Sequence, residues 1–242
     1  MSRREQINAY AYRHHGNWTA IANALKENEE WKPIHTDHKF TTIVDSDYPP
    51  AFRRLRYPPW IIYYKGNLDL AETSICGIVG SRKCTQRALD NTREITEILS
   101  RRHTIVSGLA SGIDAAAHQA ATTSIGIIGC GLDRIYPREN AVLYRKLEKC
   151  GLILTEYPPG TPPFARHFPW RNRLIAALSE FVVIPECEIR SGTMHTVDAC
   201  NELSVPIYCL ATPYGQPDHQ GCDWLISQGA GILYEPAQLD EL

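Results

Sequence analysis

Ser74-Ile75-Cys76-Gly77-Ile78-Val79-Gly80-Ser81-Arg82 decides the fold. An apolar run without polar alternation ends in a glycine and a polar turn, which describes a strand covered on both faces. Gln86 to Arg102 follows, with Leu89, Ile95, Ile98 and Leu99 spaced for one helical face. Strand, turn and helix in that order open a βαβ unit.

Toward the C-terminus the unit repeats. Thr104 to Ser107 precedes a helix after Gly112, and Ile125 to Gly129 precedes a helix across Glu139 to Lys149. Leu152 to Tyr157 leads into a long loop, and Phe181 to Pro185 into a helix from about Thr193 to Leu203. Val205 to Leu210 comes before a short helix near Cys222 to Gln228, and Gly231 to Tyr234 closes the series. Right-handed crossovers between parallel strands then give an α/β fold with a doubly wound, mostly parallel sheet.

Toward the N-terminus, a proline-bounded helix is expected between Tyr48-Pro49-Pro50 and Tyr57-Pro58-Pro59, and Trp60 to Lys65 is a strand that extends the sheet. Glu5 to His15 and Thr19 to Glu30 read as two helices broken at His14-His15-Gly16-Asn17, with Thr19 or Asn17 as the second cap. Without a convincing third helix they read as a structural cap and not as a DNA-binding helix-turn-helix. The expected organisation is a short N-terminal helical segment, 1–35, followed by one α/β domain, 36–242.

A chain of 242 residues suits one large domain with a small appendage. Its net charge of −2 argues against a protein that coats nucleic acid over its whole surface, yet leaves room for a local basic groove. No apolar run nears the roughly 20 residues that span a bilayer, and the N-terminus has no signal-peptide core, so the expected location is cytoplasmic. Cys76, Cys84, Cys130, Cys150, Cys187, Cys200, Cys209 and Cys222 include no C-x-x-C pair; they read as reduced thiols used as small core residues, and no metal is assigned.

Three polar motifs stand beside strand-like runs: Gly80-Ser81-Arg82, Arg171-Asn172-Arg173 and Arg190-Ser191-Gly192-Thr193. Open parallel sheets bind ligands beyond the carboxyl ends of their strands, so arginines and small hydroxyls there point to a phosphate-bearing ligand. Ser107-Gly108-Leu109-Ala110-Ser111-Gly112-Ile113-Asp114 is glycine-rich and opens a helix, but matches neither G-x-G-x-x-G nor the P-loop. Asp114 reads as a helix-start residue. Arg134, Tyr136 and Arg138 are candidates to line a groove. In Arg166-His167-Phe168-Pro169-Trp170-Arg171-Asn172-Arg173, aromatic and cationic residues interleave as unpaired nucleic acid requires, with one of Phe168 and Trp170 anchoring the loop on the core and the other left open. Ser191 or Thr193 also suits a helix cap with no ligand at all.

Taken in order, these motifs resemble the DNA-processing protein A family, also called DprA or Smf. The resemblance runs from about Asp45 to Tyr234. Besides the motifs above it takes in Cys130-Gly131-Leu132-Asp133 with Tyr136-Pro137, Glu156-Tyr157-Pro158-Pro159-Gly160, and Gly221-Cys222 before Leu225-Ile226. It implies an extended Rossmann-like domain that binds single-stranded DNA, forms a homodimer, protects incoming DNA and helps load RecA recombinase in natural transformation and recombination. It implies no catalytic residue and no cofactor.

The matching site positions are Gly80, Ser81, Arg82, Gly108, Gly112, Arg171, Asn172, Arg173, Arg190, Ser191 and Gly192. Arg82 and Arg173 are expected to pair with phosphates, Asn172 to orient them or brace the pocket, Ser81 and Ser191 to donate hydroxyl bonds, and Arg171 to serve the pocket or the structure. Asp223, His195 and the stretch Ala211-Thr212-Pro213-Tyr214 depart from the family pattern, and no counterpart of the winged-helix-like module of many members is read before Leu242. Two alternatives accompany this function. One is a Rossmann-like enzyme or sensor for a nucleoside phosphate, with Asp114 and Glu156 as its nearest carboxylates; the other is a protein-interaction adaptor.

Overall fold

A computed structural model describes residues 2–211, 220–240 and 242. Its strands are β1 (Lys39–Thr42), β2 (Ile61–Gly66), β3 (Ile75–Ile78), β4 (Thr104–Ser107), β5 (Ser124–Ile127), β6 (Leu152–Thr155), β7 (Phe181–Ile184), β8 (Ile207–Leu210) and β9 (Gly231–Leu233). They form one sheet in the order β1-β2-β6-β5-β4-β3-β7-β8-β9. From β6 to β9 all neighbours are parallel, whereas β2 runs antiparallel to both β6 and β1. The parallel part thus starts at β3, steps outward to β6, returns to the other side of β3 and steps outward again to β9. Between β3 and β7 the strand order reverses.

The helices are α1 (Arg3–Arg13), α2 (Trp18–Glu27), α3 (Gln86–Leu99), α4 (Ile113–Ala120), α5 (Ala141–Cys150), α6 (His167–Leu178), α7 (Met194–Leu203) and α8 (Gly221–Ser227). Side-chain alternation along each strand divides the core between two faces. Val182 and Ile184 pack with Leu174, Ile175 and Leu178 of α6, Val197 of α7 and Leu225 of α8, while Phe181 and Val183 pack with Ile95 and Leu99 of α3 and Ala117 of α4. Each such buried aliphatic or aromatic side chain is worth about 1.5–3 kcal/mol over leaving it exposed.

The N-terminal helices share a third cluster with the sheet: Ile7, Tyr10, Ile21, Ala24 and Leu25 pack against Ile61, Tyr63, Leu143, Leu147 and Ile153. The buried Tyr63 hydroxyl donates to Asn8 Oδ1 at 2.8 Å. Asn17, not Thr19, caps α2, accepting from the Ala20 N–H at 2.9 Å.

Four features differ from the sequence expectation. The Pro50–Arg54 segment is a single 3₁₀ turn, and β1 is a strand where none was read. The stretch taken as a loop through Arg173 is helical from His167 onward. Of the cysteines, all free thiols, Cys84 is half-buried and Cys150 exposed, so these two are not core residues. The Thr212-Pro213-Tyr214 part of the departing turn lies outside the described residues.

Candidate nucleic-acid interface

A cleft of about 550 Å³ opens beyond the carboxyl ends of β3 and β7, where the strand order reverses. In open α/β sheets that crevice is where ligands sit. Gly80, Ser81, Arg82 and Lys83 form one wall, Phe168, Arg171 and Asn172 of α6 a second, and Arg190, Ser191, Gly192 and His195 a third. The three polar motifs, up to 112 positions apart between Gly80 and Gly192, therefore meet.

Close backbone packing sets the first wall. Ser81 N–H donates to Glu186 O at 2.9 Å, and Ile113 N–H to Ser81 O at 3.2 Å. Gly112, with φ +75°, lies so near that a Cβ there would stand 2.4 Å from Ser81 O. Only glycine meets both demands at once. A Cβ at Gly108 would likewise stand 2.6 Å from Asp114 Oδ2 and 2.7 Å from Arg171 Nη2. Neither Gly108 nor Gly112 lines the cleft; both seat the groups that do.

Arg171 is 3 % exposed and donates to Gly108 O at 2.8 Å, with Asp114 beside it. Asp114 accepts from the Gly108 and Ala110 N–H groups. Burial pushes its carboxyl above the usual range, against the pull of Arg171 and of the Ala110 amide. Arg171 Nε donates to Asn172 Oδ1 at 3.2 Å, and Asn172 Nδ2 to Gly192 O at 3.1 Å. Asn172 is thus a brace between α6 and the third wall. Ser191 Oγ donates to Glu188 O, and neither Ser191 nor Thr193 makes a side-chain cap on α7.

The outer cationic groups are differently placed. Arg82, Lys83 and Arg190 are exposed on the cleft, and none forms a salt bridge among the described residues. The Phe168 ring lines the same cleft, 5.4 Å from the Arg82 guanidinium, 5.9 Å from that of Arg171 and 5.4 Å from the Tyr136 ring. Exposed cations and a half-buried aromatic face in one cleft offer donors for phosphate and a platform for a base.

A family model described as DNA recombination-mediator protein A matches residues 39–241. This chain belongs to the DprA/Smf family. It is 38% identical to protein Smf of Synechocystis sp. over 89% of this chain and 55% of that protein, and 36% identical to DNA processing protein DprA of Streptococcus pneumoniae over 79% and 70%. It thus spans only about half the length of the Synechocystis relative. Among solved structures, DprA of S. pneumoniae superposes with a TM-score of 0.82 at 28% identity, covering 98% of this chain and 92% of that one. DNA processing protein A of Helicobacter pylori, whose structure is described in terms of its single-stranded DNA binding mode, gives 0.77 at 29% identity over 86% and 97%.

One member of the DprA/Smf motif set stands apart. Arg173 does not line the cleft; its two terminal nitrogens reach the two carboxylate oxygens of Glu156 at 2.7 Å each, and it also donates to the Trp170 and Tyr57 carbonyls. The pair is buried, 11% and 4% exposed. With its donors so occupied, Arg173 takes a structural place in this arrangement and not the phosphate-pairing place expected for it. Of Phe168 and Trp170, Phe168 lines the cleft, as does Tyr136; Trp170 faces Tyr57 instead. Lys83 and Glu188 line the cleft unanticipated. Lys83 directly follows Arg82, so extending the turn by one residue would have found it.

Proposed function

We propose that this chain binds single-stranded DNA in the cleft at the strand-order reversal, and that it does so without catalysis. What carries this function is the set of three cations, Arg82, Lys83 and Arg190, that face one cleft beside Phe168 with no salt bridge among the described residues. Phosphates supply the missing counter-charge, and a base stacks on the ring. The described binding mode of the H. pylori relative supports the same ligand. Asp114 is held by backbone amides and Glu156 by Arg173, so neither carboxylate is placed as a general base. Family membership further supports a role in the cytoplasm in which a homodimer protects incoming strands and helps load RecA recombinase during transformation or recombination.

Fluorescence anisotropy of a labelled single-stranded oligonucleotide across salt concentrations tests the site. Each phosphate contact on a single strand contributes about 0.7 to the log–log salt slope, so three cations predict a slope near −2. Replacing Arg82 and Arg190 together by alanine should weaken binding by about 10- to 100-fold and remove roughly 1.4 from that slope. A folded double variant that binds as the parent does would place the site elsewhere, and efficient displacement by a mononucleotide would favour a small-nucleotide ligand.

A further inference from the structure

We propose a second strand-binding surface, made by Trp18, Tyr57, Trp60 and Trp170 with Arg56, that receives unpaired bases of the DNA leaving the cleft. It rests on the single-strand reading of the cleft and extends it to the opposite flank of α6.

These rings form a continuous set. Trp18 lies 5.1 Å from Tyr57 and 5.4 Å from Trp60, and Tyr57 lies 5.8 Å from Trp170, all between ring centroids. Two of them are fixed by hydrogen bonds: Trp18 Nε1 donates to Pro58 O at 2.6 Å and Trp60 Nε1 to Trp18 O at 3.2 Å. Arg173, already locked to Glu156, holds its guanidinium 4.1 Å from the Trp170 ring centroid. Tyr57 is 36% exposed, Arg56 is exposed and sits 5.3 Å from its ring, and the other three rings are half-buried. The set is preorganised, so a base stacking on it immobilises little.

Charge selects the occupant. No Asp or Glu occurs between Asp47 and Asp69 or between Glu156 and Glu180, the two segments that supply Tyr57, Trp60 and Trp170. Those segments instead carry Arg53, Arg54, Arg56 and Arg166, on a chain whose net charge is −2. Aromatic faces beside the exposed Arg56, in segments that carry arginines and no acidic residue, suit a polyanion with exposed bases better than an apolar peptide.

Continuity supplies the path. Phe168 and Pro169 line the cleft and Trp170 is the next residue, on the first turn of α6. A helix is about 10 Å across, and single-strand-binding domains occupy about 4–16 nucleotides, so one strand can engage both flanks. Trp18 lies before residue 39, outside the span matched by the family model. The N-terminal helical segment thereby acquires a part in binding.

The test compares oligonucleotides of about 4 and about 16 nucleotides on the full chain, its Arg56→Ala/Tyr57→Ala variant and its Arg82→Ala variant. The first variant should match the parent on the short strand and bind the long strand about tenfold more weakly, equivalent to about 1.4 kcal/mol. Arg82→Ala should weaken both. In the unaltered protein, tryptophan fluorescence should be quenched more by the long strand than by the short one, a readout independent of any variant's folding. Equal quenching by both strands, or a folded Arg56→Ala/Tyr57→Ala variant that binds the long strand as the parent does, overturns the second surface. If Arg82→Ala is silent while the patch variant loses long-strand binding, the cleft assignment fails and the patch stands.

Discussion

Arg171, Asn172 and Arg173 are neighbours in sequence and do three different things. The first is buried against Gly108 and Asp114, the second ties α6 to the third wall, and the third closes on Glu156. Arg173→Met should therefore cost folding stability more than DNA affinity. It leaves a carboxylate that is 4% exposed without its partner, a loss of about 3–5 kcal/mol. Equilibrium denaturant unfolding reads this directly, and adding Glu156→Gln should recover most of it. An Arg173→Met variant of parental stability that has lost DNA binding would show that Arg173 contacts phosphate after all. The sequence reading allowed Asn172 to brace and Arg171 to be structural but sent Arg173 to phosphate, because in a presumed loop there is no helical period to show that neighbouring side chains leave on different flanks.

The element that went unread is α6, and its composition explains why. Prolines at 158, 159, 162, 163 and 169 with interleaved aromatics look like extended chain, yet Pro169 falls in the first helical turn, where an amide donor is not needed. β1 escaped for another reason: Lys39-Phe40-Thr41-Thr42 is four residues at a sheet edge, too short to show a period. The parallel strands were legible, since apolar runs such as Phe181 to Ile184 are buried at every position. Between elements, Gly112 couples the start of α4 to the turn after β3. Gly112→Ala would push a methyl group to 2.4 Å from Ser81 O at a φ of +75°. The Gly80–Arg82 turn must shift, so the variant should lose at least tenfold in single-strand affinity together with about 1–3 kcal/mol of stability. Parental affinity with parental stability would mean that the turn is not held by this contact.

At the scale of the whole molecule, stability should depend on pH through His118. Its ring is fully buried, burial and then the charges of Lys146 and Arg171 hold its pKa down to about 3, and Nε2 has no hydrogen-bond partner. Unfolded, the same imidazole takes up a proton near pH 6.5. The unfolded state thus binds more protons below that pH, so this contribution is complete above 6.5 and declines as the pH falls toward 3. The slope is up to about 1.4 kcal/mol per pH unit, and His103 and His167, also shifted down by burial, act in the same direction. Denaturant unfolding between pH 7 and 5 should show a fall that His118→Gln reduces; an unchanged slope in that variant would assign the acid sensitivity to other groups.

The reversal of strand order also has a bearing on synthesis. Because the cleft draws on residues from Val79 to Thr196, and β7 must align beside β3 before its walls face one another, no complete cleft exists on a growing chain until Thr196 has been made. Contacts so distant along the sequence form slowly. A nascent or truncated chain therefore exposes its arginines without the geometry that makes them selective, and competence to hold a strand reports that the central sheet is complete.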